Sequence, residues 1–183
     1  WEERRCVAEP SGAMGLAGLL KQGGPSPGQK AVVVVAGANM DFGQLAWVAR
    51  HSGIGACRRR YYRFEIGEDK GSLLALLENA FDGLNIVEFQ YGKVDRQRAY
   101  PVIGVEASAP ELHVLERRVG ELGIAFSDVT SKEDIEFRII RYEPSLFRLP
   151  YFIKLEFPER AGALQDFLKA ARNTASICYF NYL

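Results

Sequence analysis

The chain has 183 residues, of which 48% are apolar and 25% charged, with 23 Lys plus Arg set against 23 Asp plus Glu. That size allows one or two small domains, and the composition is neither disordered nor collagen-like. A formal charge of zero removes the long-range attraction behind non-specific phosphate binding, so nucleic acid is excluded as the expected main partner.

From the start of the chain, Trp1-Glu2-Glu3-Arg4-Arg5 lacks the apolar core of a signal peptide. Pro10 opens a helix that Ser11 is expected to cap. Gly12, Gly15 and Gly18, three apart, predict close packing of that helix rather than a phosphate loop, because the spacing is not GxGxxG. Ala31 to Val35 reads as a strand buried on both faces, the type found inside parallel α/β sheets. It runs into Gly37-Ala38-Asn39 and a helix over Phe42 to Arg50, and ligands of open α/β sheets sit at such carboxyl ends. With no sheet to join, residues 1–57 are expected to be the remnant of a larger domain. The longest apolar run, Ala31 to Ala36, is far short of a membrane span, so no membrane partner is expected.

Residues 58–148 read strand, helix, strand, strand, helix, strand. Arg58-Arg59-Arg60 is a solvated linker entering the first strand, whose Tyr62, Phe64 and Ile66 alternate onto one face. Gly71 and Ser72 open a helix with Leu73, Leu74, Leu77 and Phe81 as its apolar stripe, ended by Gly83. Val87, Phe89 and Tyr91 share a face of the second strand. Tyr100 to Ala107 is the third strand. Pro110 starts a helix with Leu112, Leu115, Val119 and Leu122 buried and Gly123 as its stop, and Ile124 to Val129 is the fourth strand. This order is the α+β, ferredoxin-like pattern, a sheet with helices on one face.

Residues 149–183 begin the second zone again. Sliding residues 61–91 onto 152–182, an offset of 91, needs no gap and matches nine residues. Glu65 falls on Glu156, Glu68 on Glu159, Gly71 on Gly162, Leu73 on Leu164 and Leu77 on Leu168. Ala80, Ile86, Phe89 and Tyr91 fall on Ala171, Ile177, Phe180 and Tyr182. The second copy presents Ile153, Leu155 and Phe157 as a strand, then Leu164, Phe167 and Leu168, then Cys178, Phe180 and Tyr182. It stops before a third strand and is expected to lack partners for both of its own. Unpaired edges are then expected to drive self-association or fraying. The three cysteines, Cys6, Cys57 and Cys178, are odd in number and lack CxxC spacing, which fits reduced thiols in cytoplasm, stroma or matrix. His51 and His113 have no partners at metal-ligand spacing, so no metal is expected.

Ala8-Glu9-Pro10-Ser11-Gly12-Ala13 and Ala36-Gly37-Ala38-Asn39-Met40-Asp41-Phe42 resemble the end of the catalytic domain of biosynthetic threonine dehydratase (threonine ammonia-lyase). Glu68-Asp69-Lys70-Gly71-Ser72-Leu73 and Asn85 to Tyr91 are similar to the first ACT-like regulatory repeat of that family, a ferredoxin-like unit. Glu156 to Leu164 and Tyr179-Phe180-Asn181-Tyr182 are similar to its second. The resemblance implies a pyridoxal-phosphate lyase converting threonine to 2-oxobutanoate and ammonia in isoleucine biosynthesis. It also implies control by isoleucine and valine, and a homo-oligomer built through ACT-like domains. Three zones follow: a catalytic remnant over 1–57, one regulatory repeat over 58–148 and a truncated one over 149–183. Near the cofactor of an intact enzyme the resemblance places Glu9, Gly37 and Asn39. Ala36 stands where the family has the serine that meets the pyridine nitrogen. No catalytic residue is assigned, since the Schiff-base lysine belongs to a segment outside this sequence, and the chain alone is expected to be inactive and to hold no cofactor.

For an amino-acid effector the expected contacts are Glu68, Gly71, Ser72, Leu73, Glu88 and Phe89, with Gly162 and Leu164 in the second copy. The turn ending at Gly71 delivers a helix N-terminus, whose free N–H groups and dipole favour a carboxylate. Glu68, Glu88 or a loop carbonyl would take the ammonium, and Leu73 and Phe89 the aliphatic tail. Read alone, Gly71 and Gly162 serve equally well as turn glycines, and Phe89 and Tyr91 fit packing better than ligand contact. Two other readings are a stand-alone, non-catalytic sensing or dimerisation module, favoured by Ala36, and an RNA-binding domain of the same topology. Neutral charge and a third strand without Phe argue against the RNA reading.

Overall fold

The computed structural model describes residues 6–37, 39–158, 160, 162–172, 174 and 176–182. The charged start Trp1–Arg5, together with Ala38, Glu159, Ala161 and Leu183, lies outside the described residues. Two compact units divide the chain after Ser52.

In the first unit, helix α1 (Pro10–Lys21) has Glu9, not Ser11, as its N-cap residue; the Ser11 hydroxyl donates to Glu9 Oε1 at 2.8 Å. The glycine stripe packs closely in part. A Cβ at Gly12 would collide with the Ala36 carbonyl and one at Gly15 would touch Val33, whereas Gly18 faces open space. Residues 31–35 form no strand, and Val32 is 93% exposed. The expectation of a doubly buried strand therefore fails, because no neighbouring strand satisfies its backbone or covers its side chains. Helix α2 (Phe42–Gly55) follows, five residues longer than expected.

The second unit carries the sheet. Strand β1 (Arg59–Gly67) leads through a turn to α3 (Ser72–Ala80) and β2 (Asn85–Gly92). Next come β3 (Arg98–Ala99), β4 (Val102–Glu106), α4 (Ala109–Glu121) and β5 (Ala125–Asp128). A short α5 (Glu133–Glu136), then α6 (Ala163–Ala171) and β6 (Tyr179–Tyr182) complete the unit. β3 and β4 hold one register along β1 (Ile66↔Ala99, Tyr62↔Ile103), interrupted at Pro101, which has no N–H to offer the ladder. With β5 on the other edge of β1 and β2 beyond β4, all antiparallel, the order is the ferredoxin-like 4-1-3-2. The α+β, ferredoxin-like expectation is met.

Alternation explains the core. Tyr62, Phe64 and Ile66 on β1 meet Leu74, Leu77 and Phe81 beneath α3, and Leu112, Leu115 and Val119 beneath α4, all buried. Each such side chain contributes about 1.5–3 kcal/mol when fully buried. Two details depart from the simple pattern. A bulge between Ile86 and Glu88 sets Ile86, not Val87, beside Phe89 and Tyr91 on the core face. Leu122 is the C-cap of α4 and remains exposed.

The second copy is half realised. Residues 151–158, expected as a strand, form none, and Ile153 is 76% exposed. β1 has β4 and β5 on its two edges, whereas among the described residues no strand pairs with 151–158. β6, by contrast, does find a partner, which corrects the expectation that neither strand of that copy would. It pairs antiparallel with β2, the strand it repeats: Phe89↔Tyr182, Gln90↔Asn181, Tyr91↔Phe180. Under the offset of 91, Asn181 is the counterpart of Gln90, and the pairs on either side exchange Phe and Tyr. A local two-fold axis thus passes between Gln90 and Asn181. α6 packs beside α3 across the same axis, with Leu164 and Leu168 entering the common core and Phe180 edge-to-face on Phe89 at 5.5 Å.

Candidate ligand site

Both copied helices begin in the same unusual way. Gly71 precedes α3 with φ +97° and Gly162 precedes α6 with φ +81°, a left-handed conformation that favours glycine, and neither helix has a side-chain cap. At α4, by contrast, Ser108 and Glu111 form a capping box. The first N–H groups of α3 and α6 are therefore left to other partners.

Each N-terminus opens on a cavity built from both copies. The first is lined on one side by Glu68, Gly71 and Leu73 of the first copy and on the other by Leu168, Arg172 and Ile177 of the second. The cavity at Gly162 is its counterpart across the axis, with Leu164 and Tyr182 facing Phe81 and Ile86. In front of Gly162, Arg160 pairs with Asp166 at 2.6 Å.

The first cavity has a charged wall. Glu68 accepts from both Lys93 Nζ at 2.8 Å and the Tyr91 hydroxyl, which lies 2.7 Å from each carboxylate oxygen. Burial, then the bond to Glu68, pushes the Tyr91 phenol well above its ordinary pKa. A carboxylate offers about four lone-pair sites, so Glu68, which lines the cavity, retains acceptor capacity beyond these two donors. Opposite it, a Cβ built on Gly71 would lie 3.4 Å from Arg172 Nε and Nη2, so the guanidinium stands over the open end of α3. Carboxylate, guanidinium, helix N-terminus and apolar floor converge within one cavity. That arrangement complements a zwitterion with an aliphatic tail.

The expected residues divide accordingly. Glu68, Gly71 and Leu73 line the first cavity, and Gly162 and Leu164 the second. Ser72 opens α3, its amide bonded to the Asp69 carbonyl at 3.2 Å. Glu88 does not join them, because alternation along β2 turns it to the opposite face of the sheet, where it is buried against Arg138, Tyr61 and Gln90. Phe89 is 0% exposed and belongs to the core, not to the cavity. Sequence reasoning missed Arg172, Leu168 and Ile177 as lining residues. The offset of 91 was the available signal, since it matches Leu168 to Leu77 and Ile177 to Ile86, but only the β2–β6 pairing brings them to Gly71.

In the first unit, the Glu9 amide donates to the Gly37 carbonyl at 3.2 Å, so the two segments assigned to a cofactor do meet. They do not fit pyridoxal phosphate by themselves: the Glu9 carboxylate takes the Ser11 hydroxyl, Ala36 ends in a methyl group, and Asn39 is exposed. His51 stacks on Trp47 at 3.9 Å, and His113 is exposed. Among the described residues no three His, Cys, Asp or Glu are grouped to hold a metal, and no helix is long and apolar enough to cross a membrane.

Sheet order and the two-fold arrangement of copied helices make this an α+β protein of the ferredoxin-like, ACT-like class. No protein-family model matches the chain. The mitochondrial threonine dehydratase of Schizosaccharomyces pombe is 31% identical over 188 residues, 98% of this chain and 31% of that protein. The biosynthetic L-threonine dehydratase of Burkholderia multivorans is 31% identical over 189 residues, 100% of this chain and 37% of that protein. A chloroplastic biosynthetic threonine dehydratase of Arabidopsis thaliana is 29% identical over 188 residues, again covering 100% of this chain. The chain belongs to the biosynthetic threonine dehydratase family and spans about a third of the length of these relatives.

Proposed function

We propose that this chain is a regulatory portion of a threonine ammonia-lyase, the enzyme that converts threonine to 2-oxobutanoate and ammonia on the way to isoleucine. Its work is to bind branched-chain amino acids and bias the catalytic domain, with homo-oligomer contacts made through the ACT-like units. The observation that carries this reading is the cavity between the copies, where Glu68, Arg172 and the uncapped start of α3 surround an apolar floor. The effector carboxylate lies at Gly71 and Arg172, its ammonium at Glu68, and its tail against Leu73, Leu168 and Ile177. Isoleucine and valine differ by one methylene, which such a pocket distinguishes by about 1–3 kcal/mol. Opposite effects on activity then require the two ligands to favour different states or different cavities.

The family's chemistry depends on pyridoxal phosphate, which supplies the electron sink when bound. Glu9, Gly37 and Asn39 are the residues of this chain nearest to it in an intact enzyme, where the methyl group of Ala36 offers the pyridine nitrogen no hydrogen bond. That substitution favours a second reading, a sensing module that works apart from catalysis.

Calorimetric titration of the full chain with isoleucine and with valine tests the proposal. Saturable heat with either supports it. No heat with both, in a sample shown to be folded, refutes it. Addition of the chain to a catalytic domain separates the two readings, since only a regulatory portion alters lyase activity.

A further inference from the structure

The sheet face opposite the helices carries buried charge that the ligand site does not use. Glu88 is 3% exposed and Gln90 4%. Glu88 accepts from Tyr61 Oη at 3.0 Å, Gln90 Nε2 at 2.7 Å and Arg138 Nε at 2.9 Å. Arg138 belongs to the connection between the copies, which crosses this face: Ile135 packs with Tyr61, Val102 and Val129, and its carbonyl lies 3.4 Å from Gln90 Nε2. The backbone at Arg138 is left-handed, φ +57°, an uncommon state for a residue with a Cβ. Its guanidinium then reaches past Glu88, and Nη2 donates to the Tyr182 carbonyl at 3.3 Å. One side chain therefore joins β2 of the first copy to β6 of the second.

We infer that Arg138 is a positioning residue for the cavity, a clasp on the back of the sheet that holds the second copy against the first. β6 is an edge strand four residues long, held on its ladder side by β2 alone. The wall formed by Leu168, Arg172 and Ile177 lies in the segment that ends in β6, so cavity shape depends on how firmly β6 is docked. Arg138 makes its hydrogen bonds to Glu88 and Tyr182, neither of which lines the cavity at Gly71. It acts through Glu88 and the Tyr182 carbonyl, and its planar fork serves both acceptors at once, which a lysine ammonium at the same place does not. The consequence for ligand binding rests on the proposal above; the clasp itself does not.

Hydrogen exchange of the full chain tests the clasp. Replacing both members, Glu88→Met with Arg138→Met, removes the buried pair without stranding one charge, so the first copy keeps its fold. The expected result is exchange at least tenfold faster at the amides of β6, with β1 and β4 as protected as before. Unchanged exchange at β6 overturns the inference. If β1 and β4 also lose protection, Arg138→Lys decides: it keeps a cation on Glu88, and faster exchange confined to β6 supports the clasp, while unchanged β6 overturns it. Isoleucine titration of the same variants separates the two claims. A loss of affinity that follows β6 opening supports both; no isoleucine binding by the unaltered chain sinks the ligand proposal, and the clasp is then judged on β6 exchange alone.

Discussion

Gly71→Ala separates the cost of a left-handed backbone from the cost of blocking a ligand. At φ +97°, an alanine in place of Gly71 is strained by about 1–2 kcal/mol. The added methyl meets Arg172 at 3.4 Å, ordinary van der Waals contact with a mobile side chain, so no steric term adds to the strain. The folded chain should lose that 1–2 kcal/mol and no more. If an effector carboxylate lies between the α3 N-terminus and Arg172, the methyl occupies its place. Hydrogen bonds to a charged group are worth about 1.5–3 kcal/mol, and about 1.4 kcal/mol is a factor of ten in affinity, so isoleucine binding should weaken ten- to hundredfold. Gly123→Ala is the control. That glycine also has a positive φ, +67°, with nothing within 4 Å of a new Cβ, and it follows α4 away from both cavities. It should carry a similar backbone cost and leave binding untouched. Urea unfolding gives the first quantity and calorimetry the second. Equal binding by the two variants would refute the placement of the carboxylate at α3.

Alkaline titration, read by tyrosinate absorbance, should find Tyr62 and Tyr91 still protonated above the ordinary range of a phenol. Burial, then the bonds to Glu116 and Glu68, raises both phenols. Each holds its proton more tightly folded than unfolded, so its stabilisation is whole below about pH 10 and is lost as the pH climbs further. Tyr62→Phe and Tyr91→Phe should flatten that loss, and native-state ionisation of all eight tyrosines together would contradict it. Phe64→Ala should cost about 3–5 kcal/mol and Leu155→Ala less than about 0.5, because only Phe64 is buried in a strand; comparable losses in urea would mean that 151–158 is built like β1. In the first unit, Gly12→Ala must displace the Ala36 carbonyl, whereas Gly18→Ala meets nothing and gains helix propensity, up to about 1 kcal/mol. Thermal melts should separate the two, and equal melting points would remove the packing of α1 on residues 31–37.

Elements whose partners lie nearby in sequence were legible from periodicity. The stripe under α4 and the alternation of Tyr62, Phe64 and Ile66 each answer to a local rule. So does the turn glycine before α3, and the ferredoxin-like order follows from these elements with little ambiguity. What failed was burial that depends on distant partners. Ala31 to Val35 has the composition of a central strand, yet a strand exists only where others satisfy its N–H and C=O groups. Glu88 illustrates a finer failure. Its acidity suggested an ammonium partner, but one step along β2 from Phe89 carries it through the sheet, where the remote Arg138 neutralises it. A bulge, as between Ile86 and Glu88, likewise leaves no mark in composition, and here it exchanged Val87 for Ile86 in the core.

The duplication deserves its sharpest comparison, between the stretches around Phe64 and Leu155. They differ: one is a buried strand, the other an exposed segment without a ladder. Had the copies been judged there alone, the case for two similar units would fall. The similarity persists where a structural element can be completed by the first copy. A central strand needs partners on both edges, and among its described residues the second copy supplies none. An edge strand needs one, and β2 presents a matching surface because it carries the same Phe-x-Tyr pattern in reverse direction. α6 needs only an apolar neighbour, and α3 is one. The half copy therefore contributes a helix and an edge strand, and these carry Leu168 and the segment through Arg172 and Ile177 that walls the cavity at Gly71. Pairing of like with like across the Gln90–Asn181 axis is what sets these elements as one wall of that cavity.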